Sequence, residues 1–546
     1  MALIAFVYCI CITVICNSHN SYAAVGAKVY TEKDSQFWIE NGKDMVTEKV
    51  KYLNKRNVAK NIIMFLGDGM SVTTLTASRI YKGQMEKRSG ENEYLSFEKF
   101  PFVGMAKTYC VDAQVPDSAC TATAYLTGVK NNYEMLGLTA AVRLNDCPGS
   151  LKPENRVSSI ADWSMAEGKA VGLVSTARVT HASPAGLYAH SANRGWETDT
   201  GMAHYSNVTD TGRCEDIAKQ LVTRSPGKDF KVILGGGRQM FFTNDTNKKG
   251  FRMDMDLVNL WKEDKTKRFG NGKTAYVENR DQLLNVDPSK TDYLLGLFED
   301  KHMKFRLTAD ATVQPTLEEM TKKAIEILSK ERNGFFLFVE GGLIDVGHHL
   351  TTARTAVDET VELSKAVQKA VDMTNEDDTL IVVTSDHSHT MTMSGYPSRG
   401  NNILGLVGSP GVDGLPIATL SYANGPGIPK SEFPGCARQD LSKVDMSDPL
   451  YKYPKMVESV DETHGGEDVM VFARGPWAHL FSGNYEQNLI PLTMGFAAGV
   501  GPAAGMNGGP VAYAYAPSRA AAVPSSLFAI TGGFLLTTIA LRRVCS

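Results

Sequence analysis

The sequence predicts an α/β fold, a three-layer sandwich with a central, mostly parallel sheet flanked by helices. Three observations lead there: short continuous apolar runs recur, turn residues follow them, and stretches at helical spacing alternate with them. The runs are Ile62–Leu66, Val171–Val174, Val232–Leu234, Phe335–Val339, Leu380–Thr384 and Val469–Phe472. Being apolar throughout, they suit strands buried on both faces of a parallel sheet. The helical stretches are Arg156–Glu167, Leu317–Lys330 and Ala353–Asp372, the last two with apolar residues three and four apart. Such alternation builds one domain with helices on both faces. Residues 30–56 read as a charged arm of helical character. Residues 396–450, rich in Gly, Pro and Ser, read as an irregular insertion, and residues 243–300 lack a clear pattern.

With 546 residues, the chain could hold several domains or one large one. Its 43% hydrophobic and 21% charged residues are ordinary for a globular protein that buries a large core. A net charge of −3 supplies no basic field for nucleic acid.

Both ends read as targeting segments. Residues 2–16 are apolar, Asn17–Ser21 are polar, and Ser21-Tyr22-Ala23 places small residues at cleavage spacing. This predicts a signal peptide over residues 1–23, although a basic n-region is missing. The competing reading is a membrane anchor, for which the run falls short of the about 20 residues a bilayer needs. Near the other end, Val523–Leu541 is largely apolar and precedes Arg542 and Arg543. Upstream lie Asn507-Gly508-Gly509 and a spacer of about eleven residues, the pattern of a glycolipid-anchor signal. Asn507 is then the candidate attachment site, and residues 508–546 are removed, leaving a mature domain over 24–507. A transmembrane helix is the alternative, weakened by Pro524 and Gly532-Gly533. The expected location is the extracellular face of the plasma membrane, reached by the secretory pathway.

Of nine cysteines, Cys9, Cys11 and Cys16 leave with the signal peptide and Cys545 with the tail. Cys110, Cys120, Cys147, Cys214 and Cys436 remain, enough for two disulfides and one free thiol in an oxidising compartment. Spacing does not fix the pairing. Asn207-Val208-Thr209 and Asn244-Asp245-Thr246 are glycosylation acceptors that fit the same compartment.

The candidate chemistry follows the strands. After Ile62–Leu66 comes Gly67-Asp68-Gly69. After Phe335–Val339 come Glu340-Gly341-Gly342, Asp345 and His349. After Leu380–Thr384 comes Asp386-His387. Open parallel sheets bind ligands at the carboxyl ends of their strands. Carboxylates with imidazoles at one edge are a ligand set for zinc. Asp345 and His349 stand four apart, one helical turn, so both can face one ion. Each piece alone reads as a turn or a capped loop; their convergence points to a site. In Val115-Pro116-Asp117-Ser118-Ala119-Cys120-Thr121, Ser118 falls at the start of a helical run. Dipole and free N–H groups there stabilise an alkoxide or a phosphoryl group. Alone, Asp-Ser before a helix is an ordinary N-cap.

Six ordered motifs then carry a resemblance. They are Asn61–Met70; Pro116-Asp117-Ser118 with Thr121-Ala122-Thr123-Ala124; Val179–Gly186; Phe336–Gly342; Ser385–His389; and Glu462–Asp468. In this order they resemble the animal-type, glycolipid-anchored alkaline phosphatases. The resemblance implies a zinc- and magnesium-dependent phosphomonoesterase. Ser118 would attack phosphorus and become a phosphoserine that water hydrolyses. One zinc would be held by Asp345, His349 and His464, the other by Asp68, Asp386 and His387. Magnesium would take Asp68, Ser183 and Glu340, with His181 nearby. Arg194 would grip phosphate oxygens and Asp117 would orient it. A homodimer is also implied, with the 30–56 arm against the partner; the alternative is a solvated helix on a monomer.

The sequence departs from the family at several points. Val346 stands where animal members typically carry a histidine that reaches the phosphate through water, so one contact is lost. Ala119 and Cys120 follow the nucleophile where a Gly-Ala pair is common in the family. A Cys110–Cys120 disulfide would brace that loop; a free buried thiol is the alternative. Cys147 and Cys214 match a disulfide of the animal enzymes, and Cys436 has no evident partner. At the family's calcium site Phe298 and Glu299 match, but Gln314 replaces an aspartate. Two rival readings are a phosphodiesterase or sulfatase of the same superfamily, and a non-catalytic cell-surface binding protein that kept the fold.

Overall fold

The computed structural model describes residues 54–506 except 206–213, 245–249 and 428–437. Its frame is a ten-stranded sheet. In chain order the strands are β1 (Asn61–Gly67), β2 (Phe102–Lys107), β3 (Ala170–Arg178), β4 (Val232–Gly236), β5 (Thr274–Val277), β6 (Tyr293–Leu297), β7 (Phe335–Gly341), β8 (Thr379–Thr384), β9 (Val469–Arg474) and β10 (Gly483–Glu486). Their spatial order is β10-β2-β9-β8-β1-β7-β3-β4-β6-β5, and only β9 runs against the rest.

Alternation of side chains along each strand divides the interior into two layers. Ile62, Met64 and Leu66 of β1 join one apolar cluster with Phe336 and Phe338 of β7 and Leu380 and Val382 of β8. Ile63 and Phe65 join the other, with Phe335, Leu337, Val339, Ile381 and Val383. Each such side chain, taken fully out of water, contributes about 1.5–3 kcal/mol. This two-sided burial is why the strands read as unbroken apolar runs. One face is covered by α1 (Val72–Met85), the other by α2 (Ser118–Thr127). A four-residue helix, α3 (Ala182–Ala185), packs against α2. The face with α1 also carries α4 (Leu317–Leu328), and α5 (Leu343–His349) leads into α6 (Ala353–Met373). The α2 face also carries α7 (Leu489–Ala498).

The stretch over 243–300 contains a helix, Leu257–Phe269, together with β5 and β6. Within 396–450, Leu406–Val407 pairs with Ile417–Ala418, and Leu420–Gly425 joins a small sheet with Met391–Met393 and Lys455–Glu458. Among the described residues no helix is long and apolar enough to cross a membrane. The predicted signal peptide, most of the 30–56 arm, Asn507 and the tail lie outside the described residues.

Candidate active site

Four neighbouring parallel strands, β8, β1, β7 and β3, bring their carboxyl ends to one edge. Leu66 is in register with both Thr384 and Glu340, and Ser175 with Glu340. Asp68 therefore follows β1, Glu340 ends β7, Asp386 and His387 follow β8, and His181 and Ser183 follow β3. Gly69 sits between them at φ 69°, and a Cβ there would lie 2.3 Å from the His389 ring, so glycine is required.

Ser118 is the first residue of α2 and is buried. Asp117 caps the helix, accepting from Ala119 N at 3.0 Å and Cys120 N at 3.2 Å. The same carboxylate accepts from Glu134 N at 2.9 Å and from Arg194 Nη1 at 2.9 Å. The other Nη of Arg194 lies 3.0 Å from His181 Nε2. Held at both ends, the guanidinium keeps 23% of its side chain exposed, and so remains available to an anion. Ser118 Oγ lies 3.1 Å from His387 Nε2.

Around Ser118, ligand-type atoms gather in three groups. Asp345, His349, His389 and His464 form one, Asp68, Asp386 and His387 a second, and Asp68, His181 and Glu340 a third. In the first, His349 Nδ1 donates to Glu462 O and His464 Nδ1 to Pro116 O at 2.7 Å. A carbonyl only accepts, so both Nε2 atoms carry bare lone pairs. These face each other at 3.2 Å and face Asp345 Oδ1 at 3.3 and 3.5 Å. Three acceptors in contact repel unless a cation lies among them, and such backbone-anchored imidazoles are how proteins orient metal-binding histidines. His389 is different. Its Nε2 meets Asp345 Oδ1 at 2.7 Å and its Nδ1 meets Glu462 Oε2, so both nitrogens donate and it orients Asp345.

The other two groups leave buried oxygens without a protein partner. Both Asp68 oxygens, Asp386 Oδ2, Glu340 Oε1 and Ser183 Oγ are buried and unpaired, as is His181 Nδ1. Buried polar atoms are almost always paired, and this oxygen-rich set fits divalent cations. Burial, reinforced by Asp386, Asp345 and Glu340, raises the Asp68 carboxyl well above its ordinary range. Burial also lifts Asp386, and carries Glu340 up to about 8. Despite the same burial, Asp345 is held well below its usual value, its oxygen taking the N–H of His389. Burial pushes His387 well below its usual value. His389 goes the other way: despite burial, Glu462 and Asp345 push it up to about 10.

The remaining predicted residues fall as follows. Val346 packs on the apolar cluster of the α6 face and offers no polar atom. Cys110–Cys120 and Cys147–Cys214 are both disulfides, with Cα atoms 5.8 and 6.0 Å apart. Glu299 faces Lys304 Nζ at 3.3 Å, and Gln314 bonds the Lys304 backbone at both N and O. Asn244 is exposed on a turn, while Asn207 and Cys436 lie outside the described residues. Sequence reading did not single out His389, Glu462 or Tyr125, although the first two sit inside quoted motifs. His348, next to His349, is turned away and tied to Thr74 Oγ1 and Tyr422 OH, each at 2.9 Å.

A serine at a helix N-terminus, an anchored arginine and three metal-type clusters at a sheet edge define a metal-binding α/β hydrolase site. The family model for alkaline phosphatase matches residues 59–500. The chain is 44% identical over 489 residues to the membrane-bound alkaline phosphatase of Bombyx mori, covering 88% of each. It is 47% identical over 485 residues to the tissue-nonspecific isozyme of Gallus gallus, covering 86% of this chain and 91% of that one. Among solved structures, the Thermus thermophilus alkaline phosphatase shares the fold, with a TM-score of 0.57 at 19% identity, over 81% of this chain and 92% of that chain. The chain belongs to the alkaline phosphatase family. It is a phosphoric monoester hydrolase that uses metal cofactors.

Proposed function

We propose that hydrolysis proceeds through a phosphoserine on Ser118, with two zinc ions and one magnesium ion in the three clusters. Asp345, His349 and His464 would hold one zinc, and Asp68, Asp386 and His387 the other. Asp68, Ser183 and Glu340, which offer only oxygen, suit magnesium. The observation that carries this reading is the pair of bare Nε2 atoms of His349 and His464 turned on each other and on Asp345. When bound, the ions lower the pKa of the serine hydroxyl and of water and offset charge on the phosphate.

The chain's own residues do the rest. Arg194, steadied by Asp117 and His181, presents its planar fork to two phosphate oxygens. Ser118 Oγ attacks phosphorus; the Oγ–P bond forms, the ester P–O bond breaks, and the alcohol leaves with a proton. Water then attacks phosphorus, the P–Oγ bond breaks, and Ser118 regains its proton. The α2 N-terminus stabilises the phosphoryl group throughout.

We further propose a secreted, glycosylated, glycolipid-anchored homodimer, cleaved after residue 23 and anchored at Asn507. The terminal sequence patterns and the Bombyx mori relative, described as membrane-bound, support the anchor; the Asn207 and Asn244 tripeptides support glycosylation, and the family resemblance supports the dimer.

The deciding experiment pairs metal analysis with turnover of p-nitrophenyl phosphate and of its diester. Expected are two zinc ions and one magnesium per chain, preference for the monoester, loss of turnover on chelation and recovery with zinc. A metal-loaded but inert protein would sink the catalytic reading, and preference for the diester would replace it with that rival.

A further inference from the structure

One buried group beside the site has no role in the mechanism above. Tyr125 lies seven residues after Ser118 on α2, two turns along the same face. Its side chain is completely buried, and its ring stacks on Phe338 with centroids 6.5 Å apart and planes 9° from parallel. Phe338 stands two residues before Glu340 on β7, so both point to one side of the sheet. The Tyr125 hydroxyl has no hydrogen-bond partner within normal distance. The helix that carries Ser183, α3, packs against α2, and Glu340 lies on the same side of β7 as the Phe338 on which Tyr125 stacks.

Packing alone does not explain that hydroxyl. A phenylalanine would stack on Phe338 equally well, and a buried phenol normally finds a partner for its O–H. Ser183 Oγ and Glu340 Oε1 likewise lack a hydrogen bond of normal length, with Ser183 close to both Tyr125 and Glu340. A serine that offers a lone pair to a cation still has one proton to place, and a phenol oxygen can take it. The phenol keeps its own O–H for a water, and magnesium retains several waters when it binds protein.

We infer that Tyr125 is a positioning residue of the magnesium cradle, accepting the Ser183 proton and donating to water held beside the ion. The inference rests on the magnesium reading given under Proposed function. Tyr125 is not a ligand: it fixes the ligand Ser183, and its effect is on ion affinity.

The test is magnesium binding to the full-length secreted protein at fixed zinc, by equilibrium dialysis and metal analysis, for wild type and Tyr125→Phe. The expected result is a dissociation constant for magnesium raised about tenfold, as for other residues that support metal ligands. Zinc content and the unfolding midpoint of the metal-free protein should be unchanged. In a Ser183→Ala background the same substitution should add no further loss. An unchanged magnesium constant, or a lowered metal-free midpoint as the sole effect, overturns the inference. If wild type itself takes up zinc but no magnesium, the magnesium reading fails first and the inference with it.

Discussion

Ser118 Oγ lies 3.1 Å from His387 Nε2, although 269 residues separate them in the chain. His387 Nδ1 faces the Ser388 carbonyl at 3.3 Å, so it carries the ring proton and leaves Nε2 bare. The contact resembles a serine–histidine pair. The same Nε2, however, lies 3.2 Å from Asp386 Oδ2 and 3.5 Å from Asp68 Oδ1, and both oxygens are otherwise unpaired. Acceptors crowded on one point favour a cation there over a free histidine base.

The guanidinium of Arg194 is held by Asp117 and His181 rather than by phosphate alone. Arg194→Ala should raise KM for a monoester about ten- to a hundredfold, the worth of one to two charge-assisted hydrogen bonds. Asp117→Asn should raise KM less, because Arg194 keeps its contact with His181. Steady-state kinetics across a range of substrate concentrations checks both.

Val346 puts a methyl-bearing side chain where the resemblance calls for histidine. Val346→His should tighten inhibition by inorganic phosphate about threefold to tenfold and shift the pH–rate profile. Phosphate inhibition constants measured from neutral to alkaline pH give the answer, and unchanged kinetics would remove Val346 from the account.

Glu359, buried in α6 beside Asp358 and Glu362, accepts from Arg306 N. Burial, with those two acids, raises it from 4.5 to about 8. A raised carboxyl stabilises the fold fully below its unfolded pKa, and that contribution is lost as pH rises through about 8. Glu359→Gln stays neutral at every pH. Its thermal midpoint should therefore gain on wild type by a few degrees between mildly acidic and mildly alkaline solution. A constant difference across that range would show that Glu359 does not titrate there.

The centre of the fold was legible because burial on both faces writes itself as unbroken apolar runs: β1, β3, β4, β7, β8 and β9 all contain one. The edges were not. β2 carries Gly104 and alternates buried with exposed residues, and β5 is half-exposed, so neither has a continuous run. At the site, Asp68, Glu340, Asp386 and His387 could be found because each comes within three residues of the end of an apolar run. Ser183, in the four-residue helix α3, and Arg194, in a loop, follow β3 with no periodic signal, and came only from the family resemblance. His389 and Glu462 act through partners 44 and 73 residues apart in the chain, a pairing that local spacing does not reveal.

The most direct measurement asks where phosphate resides during turnover. The protein is mixed with a phosphate monoester, quenched in acid within the first turnovers, and its peptides are weighed. Phosphate is expected on Ser118, in the peptide that also holds Cys120, and nowhere in Ser118→Ala, which should not turn over. Full turnover by Ser118→Ala, or phosphate trapped on another residue, would contradict a phosphoserine on Ser118.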